Sequence, residues 1–223
     1  MITRFFVPLL LLDVLLFALA PWLISQAPYE LTMGMIQKVF YFHVPVAIMM
    51  LVSPIVCGIA SARYLKTRDK ASDHTAVAAA ELTLIFGVVV LITGPLWARK
   101  AWGIYWDWDV RLTSTLIIWM MFGAYLLLRR FGGPGSDRLA AGVAIFGAFN
   151  TPFVYWSVNV WRTLHPKTTV IPTLAPSMRP AFYWSMAAFA LLYVLLLSAR
   201  RHLEAQRALL DQIYLARDDE ERR

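Results

Sequence analysis

The sequence predicts an all-α integral membrane protein with six transmembrane helices, and three observations carry that reading. Hydrophobic residues make up 59% of the chain and charged residues only 16%, with a mean hydropathy of +0.58, whereas a soluble domain carries roughly 25% charge. Apolar runs of spanning length, roughly 20 residues each, recur six times. The formal charge of +7 comes from Lys and Arg at the ends of those runs. That distribution is membrane topology, not the clustered basic face of a nucleic-acid-binding surface.

The six runs fall at 5–25, 40–62, 77–97, 113–128, 139–159 and 181–199. The first is too long for a signal-peptide core and lacks a small-residue cleavage site, so it is expected to remain as a span. The fourth is short and needs its flanking Trp and Arg residues to reach the interfaces. Pro45, Pro54, Pro95 and Pro152 lie inside runs and are expected to kink them. Asp13 and Glu81 are costly in lipid; Asp13 marks a polar contact, and Glu81 is placed in the headgroup layer. Cys57, the single cysteine, reads as a small buried hydrophobe. Gly132-Gly133-Pro134-Gly135 is a turn. Residues 1–199 form the membrane domain and 200–223 a charged helical tail. No phosphate-binding loop G-x-x-x-x-G-K-[ST] occurs, and no solenoid repeat.

Orientation follows from the basic residues in the connections. Fourteen Lys and Arg fall on the side that carries both termini, and seven on the other: Lys38, Arg99, Lys100, Arg111, Arg162, Lys167 and Arg179. Both termini are therefore expected to be cytoplasmic. Only Glu30, Asp107 and Asp109 oppose the seven outer cations. Each cation can anchor a helix end; as a group they suit an anionic ligand.

The outer loop between spans 3 and 4 concentrates the chemistry. Trp102-Gly103-Ile104-Tyr105-Trp106-Asp107-Trp108-Asp109-Val110-Arg111-Leu112-Thr113 holds three tryptophans, a tyrosine, two carboxylates and an arginine. On a helical reading Trp102, Trp106 and Asp109 share a face, and Gly103 offers close approach to a flat ligand or another backbone. An interfacial aromatic belt is the plainer account of the same composition.

Two of the four histidines, His43 and His165, fall near the outer ends of spans 2 and 5, on the side of the tryptophan loop. His74 and His202 lie among charged residues at the other side. Singly, an apolar-flanked histidine is more often a hydrogen-bonded structural residue than a ligand. Two imidazoles, an indole platform and cations together form the set that holds a haem: two axial nitrogens, aromatic packing and partners for the propionates. Arg111, Lys100 and Arg162 are the candidate propionate partners. A zinc site needs further ligands, which Asp107 and Asp109 could supply, but the tryptophans suit a flat apolar ligand better. Asp109 is also placed to bond Arg111 or a histidine ring nitrogen and so fix the loop.

The pattern Trp102-Gly103-x-x-Trp106-x-Trp108-Asp109-x-Arg111-Leu112-Thr113 resembles the WWD signature of haem-handling membrane proteins. Six spans and Phe42-His43-Val44-Pro45 ahead of it resemble, within that superfamily, the cytochrome c maturation protein C (CcmC, haem exporter protein C) family. The resemblance implies that His43 and His165 are axial ligands of a non-covalent, bis-histidine haem b. It implies that Trp102, Trp106, Trp108 and Asp109 form the haem platform. It further implies a multi-pass protein of the bacterial inner membrane, with its active loop on the periplasmic side. Such a protein presents haem to haem chaperone protein E for c-type cytochrome biogenesis, beside ATP-binding cassette proteins A and B and small membrane protein D. The absence of a phosphate-binding loop agrees with ATP being handled by a partner, and no side chain has to act as a nucleophile. Two other classes stay open on the residues alone. One is a permease for haem or another small molecule, with Asp13 and Glu81 on its path; the other is an electron-transfer cytochrome b.

Overall fold

Six long helices carry the fold in a computed structural model that describes residues 4–221. They are α1 (Phe6–Gln26), α2 (Phe40–Thr67), α3 (Lys70–Trp102), α4 (Val110–Phe131), α5 (Ser136–Val160) and α6 (Arg179–Glu221). All six are long and apolar enough to cross a membrane. Short 3-10 turns at Met35–Val39, Thr168–Val170 and Pro176–Met178 lie in the connections before α2 and α6.

The helix ends are written in the chain. Asp69 caps α3, its carboxylate accepting from the Ala71 N–H at 3.0 Å, and Arg68 before it closes α2 with a left-handed φ of 58°. That two-residue link makes α2 and α3 an antiparallel hairpin. Their contact is the most extensive in the bundle, because α3 presents buried Ala76, Ala79 and Ala80 where a larger side chain would hold the backbones apart. The prolines expected to interrupt spans are carried inside unbroken helices, as is Pro21.

The main core joins α2 through α6 around Met50, Leu82, Phe86, Ile118, Phe122 and Tyr125. A second core of Phe40, Tyr41, Trp97, Leu174, Met178 and Phe182 lies at the end where the α1–α2, α3–α4 and α5–α6 connections meet. Helix α1 is peripheral and packs on α6: Phe17 meets Phe189 edge-on at 5.1 Å, and the Trp184 Nε1–H donates to the Leu16 carbonyl at 2.8 Å. Asp13 is buried there, its Oδ1 without a hydrogen-bond partner among the described residues, so the polar contact expected of it is not made.

Two ion pairs pin the opposite end. Arg129 meets Asp73 at 2.6 Å, and Arg200 grips Glu81 with two bonds of 2.6 Å each. Glu81 therefore faces α6, where a guanidinium supplied from another helix satisfies its carboxylate. Helix α6 runs without a break across 199–200 to Glu221. At ~1.5 Å per residue its length is about twice a hydrocarbon core of ~30 Å, so its C-terminal half stands outside the membrane.

Candidate functional site: a two-histidine cleft

The tryptophan stretch is not one helix, and the shared face expected for Trp102, Trp106 and Asp109 does not form. Helix α3 stops at Trp102 because Gly103 adopts φ 81°, its N–H bonding the Arg99 carbonyl at 3.2 Å. The Arg99 guanidinium folds back to donate to the Gly103 carbonyl. Gly103 thus serves the helix end; the atom nearest a Cβ there would be Arg99 Nη1, at 4.0 Å. The chain then runs irregularly to Asp109, whose Oδ1 accepts from the Leu112 N–H at 2.7 Å and starts α4. A terminating glycine and an N-capping aspartate overrule the helical spacing between them.

The carboxylate of Asp109 also reaches across the chain. Its Oδ2 accepts the hydroxyl hydrogen of Thr163, and Thr163 Oγ1 in turn accepts from the His165 backbone N–H at 3.0 Å. Asp109 therefore holds the histidine's loop, as the sequence suggests, but through a threonine and the backbone instead of through Arg111 or an imidazole.

His43 sits in the first turn of α2 and is buried. Its Nδ1 lies 2.8 Å from Thr93 Oγ1 on α3, and its ring meets Trp97 edge-on at 5.6 Å. A Cβ on Gly94 would stand 3.2 Å from His43 Cε1, so only glycine leaves that edge of the ring uncrowded. His165 is partly buried in the α5–α6 connection. Its Nδ1 lies 2.9 Å from the Pro166 carbonyl, which can only accept, so Nδ1 carries the hydrogen and Nε2 the lone pair. Burial first, and the Arg111 charge second, push its pKa down to about 4, which keeps the ring neutral at pH 7.

Both histidines line the same two adjoining cavities, which are open to solvent. Trp97 and Arg111 also border both. The first cavity is walled by Trp102, Trp106 and Asp107 from the tryptophan loop, with Gly94 and Pro95 of α3. The second is walled by Met33, Gln37, Tyr155, Lys167, Leu174 and Met178. The structure thus brings together His43, His165, Trp102, Trp106 and Arg111. Trp108 and Asp109 line neither cavity. Trp108 is 75% exposed and meets Trp106 edge-on at 5.7 Å; it buttresses the wall from outside.

The outer cations are mostly engaged. Lys38 donates to the Ser25 carbonyl, Arg99 to Gly103, Arg111 to Val154 and Arg179 to Leu174. Arg111 still borders the cleft, lying over the Tyr155 ring at 5.9 Å, and Lys167 borders its second part. Lys100 and Arg162 are exposed and line neither cavity. Among the described residues no three His, Cys, Asp or Glu side chains gather as a metal site, and both oxygens of Asp109 already accept hydrogen bonds.

Sequence reasoning missed Trp97. It is buried, stacks on Trp102 at 6.4 Å, borders both cavities, and its Nε1–H is buried without a partner. The available signal was a tryptophan close behind Gly94-Pro95, on the helix that runs into Trp102.

The fold and the cleft define a multi-pass, all-helical membrane protein with two neutral-capable imidazoles and an indole wall at one end. The family profile described as Heme exporter protein C matches residues 1–218, and the chain belongs to that family. A Heme exporter protein C of Bradyrhizobium diazoefficiens is 35% identical over 196 residues, covering 87% of this chain and 74% of that protein. The protein of the same name from Escherichia coli (strain K12) is 31% identical over 174 residues, covering 77% and 71%. A putative cytochrome c biosynthesis ccmC-like mitochondrial protein of Marchantia polymorpha is 33% identical over 144 residues, covering 65% and 61%.

Proposed function

We propose that this chain holds haem as cargo in the two-histidine cleft and hands it on for c-type cytochrome biogenesis. The observation that carries the reading is that His43 and His165, far apart in sequence, border the same two cavities. The donor set fits the group: two imidazoles for the iron, and Trp97, Trp102 and Trp106 for the flat apolar ring. Arg111 and Lys167 are the cations placed to meet carboxylates, in preference to Lys100 and Arg162. Trp108 and Asp109 support the platform from behind it. The haem b would be held non-covalently, with His43 and His165 as the nitrogen donors to its iron.

The cleft lies at the end bearing the α1–α2, α3–α4 and α5–α6 connections. The basic-residue bias favours cytoplasmic termini and so the opposite side for that end; with the family's likeness, we read that side as the periplasmic face of a bacterial inner membrane. Residues 1–199 are the haem-handling membrane domain, and 200–223 the cytoplasmic tail. The recipient is haem chaperone protein E, which meets the open edge of the cleft. ATP-binding cassette proteins A and B and small membrane protein D complete the assembly. The chain's own contribution to rate is orientation of cargo and recipient.

A permease reading is weaker: Glu81 is paired with Arg200 and Asp13 packs against α6, so neither polar residue lines the cleft. The test is the absorption spectrum of the purified chain with haem. A six-coordinate, low-spin spectrum is expected, lost in His43→Ala and in His165→Ala together with loading of protein E. Wild-type spectra and loading in both variants would overturn the assignment.

A further inference from the structure

We propose that Thr93 is the positioning residue for His43: its hydroxyl fixes the ring so that the lone pair of Nε2, and not of Nδ1, is available in the cleft. The inference rests on the haem-holding reading above and deepens it.

The contact alone is ambiguous, because a hydroxyl can donate to an imidazole or accept from one. A second hydrogen bond removes the ambiguity. Thr93 Oγ1 lies 2.7 Å from the Val89 carbonyl, which has no hydrogen to give. The single hydroxyl hydrogen therefore points at Val89. Toward His43, 2.8 Å away, Thr93 presents only lone pairs, so Nδ1 must carry the hydrogen and donate it. The neutral ring has one hydrogen, and Nε2 is left as the base.

Packing keeps that nitrogen open. Thr93 and Gly94 are consecutive, so one turn of α3 both orients the ring and leaves space beside it. A Cβ at 94 would stand 3.2 Å from Cε1 and 3.9 Å from Nε2. Trp97, one turn further along α3, closes the ring's other contact edge-on. Helix α3 thereby supplies orientation, clearance and a wall to a ligand carried by α2.

The two histidines are set by different means. His165 gives its Nδ1 hydrogen to a carbonyl of its own loop, an acceptor that no substitution removes. His43 depends on a side chain of another helix, 50 residues away in sequence. A hydroxyl whose hydrogen is already committed to a carbonyl is a polarised acceptor, which raises the basicity of the opposite nitrogen. Loss of such a partner at a metal-ligating histidine typically weakens binding about 10–100-fold.

The experiment uses the full chain in nanodiscs, with Thr93→Val removing the hydroxyl at nearly constant shape and Thr93→Ser keeping it. In the haem-free protein, the ¹⁵N shifts of histidine-labelled samples report the tautomer, with His43 assigned by its loss in His43→Ala. A pure Nδ1–H form of His43 is expected in wild type and in Thr93→Ser, and a mixture of tautomers in Thr93→Val. With haem added, Thr93→Val should bind about 10–100-fold more weakly than wild type, with a reduced low-spin fraction, and Thr93→Ser should restore both. An unchanged tautomer in Thr93→Val overturns the proposal, as does full haem affinity there. His43→Ala separates the two ideas: an unaltered haem spectrum in it sinks the ligand reading itself. Loss of the spectrum in His43→Ala with a wild-type Thr93→Val sinks only the role of Thr93.

Discussion

Asp109 borders no cavity, yet its removal should loosen the cargo site. The carboxylate makes two bonds with separate oxygens: Oδ1 caps α4 at the Leu112 N–H, and Oδ2 holds the Thr163 hydroxyl beneath the His165 backbone. Losing the cap in Asp109→Ala costs about 1 kcal/mol. Losing a hydrogen bond to a charged acceptor costs about 1.5–3 kcal/mol more. Part of the total falls on the first turn of α4 and part on the loop that carries His165. With ~1.4 kcal/mol per tenfold in affinity, the loop's share corresponds to about 10–100-fold weaker haem binding. Asp109→Asn keeps a good cap but turns an amide NH2 toward Thr163 where an acceptor stood; the Thr163 oxygen can accept from that NH2, so the loss should be smaller than in Asp109→Ala. Haem titration of the purified variants gives the affinities, and amide exchange across 161–166 gives the loop opening that should rise in parallel. The reasoning is refuted by wild-type exchange in that segment of Asp109→Ala, or by Asp109→Asn proving as damaging as Asp109→Ala.

Further outcomes follow from the same geometry. Gly94→Ala removes a helix-interior glycine worth up to ~1 kcal/mol, so the haem-free protein should melt no lower than wild type. Its Cβ nonetheless presses on His43, and haem affinity should drop several-fold, more in Gly94→Val; equal affinity in both would contradict the clearance argument. His165 has a folded pKa of about 4 against an ordinary 6.5. Between those values the detached loop takes up the proton more readily than the docked one, so docking is complete above ~6.5 and weakens as pH falls toward 4. Amide exchange across 161–166 of the haem-free protein, measured from pH 7.5 to 4, should rise with that fall, and His165→Ala should lose the transition. At the opposite end, Glu81→Gln should lower stability by about 1–2 kcal/mol, less than a fully buried pair would cost, because both partners are partly exposed. Chemical unfolding would measure the loss, and the haem spectrum should stay unchanged.

Much of the architecture is legible in the chain because hydropathy is a local property. Each predicted span coincides with an observed helix, and the larger differences come from helices extending beyond the apolar run. Helix α3 begins at Lys70 instead of near 77 because Asp69 caps it, and α6 runs on to Glu221 through polar residues. The same locality explains the error in the tryptophan stretch. Spacing suggested one helix face, but Gly103 and Asp109 are stop and start signals only a few residues apart, and the backbone obeys them.

By itself, the sequence determined that six helices cross a membrane and that His43, His165 and a run of indoles lie at one end of them. Hydropathy, caps and loop order suffice for that. Which side chains meet was decided by the packing of α2, α3, α5 and α6 with their connections. Only there does Thr93 reach His43, Asp109 reach Thr163, Arg200 reach Glu81, and Trp97 turn into the cleft. These pairs are 50 to 119 residues apart where a hydrogen bond joins them. No short-range pattern encodes such distances, because they are set by the order in which helices bury their faces against one another.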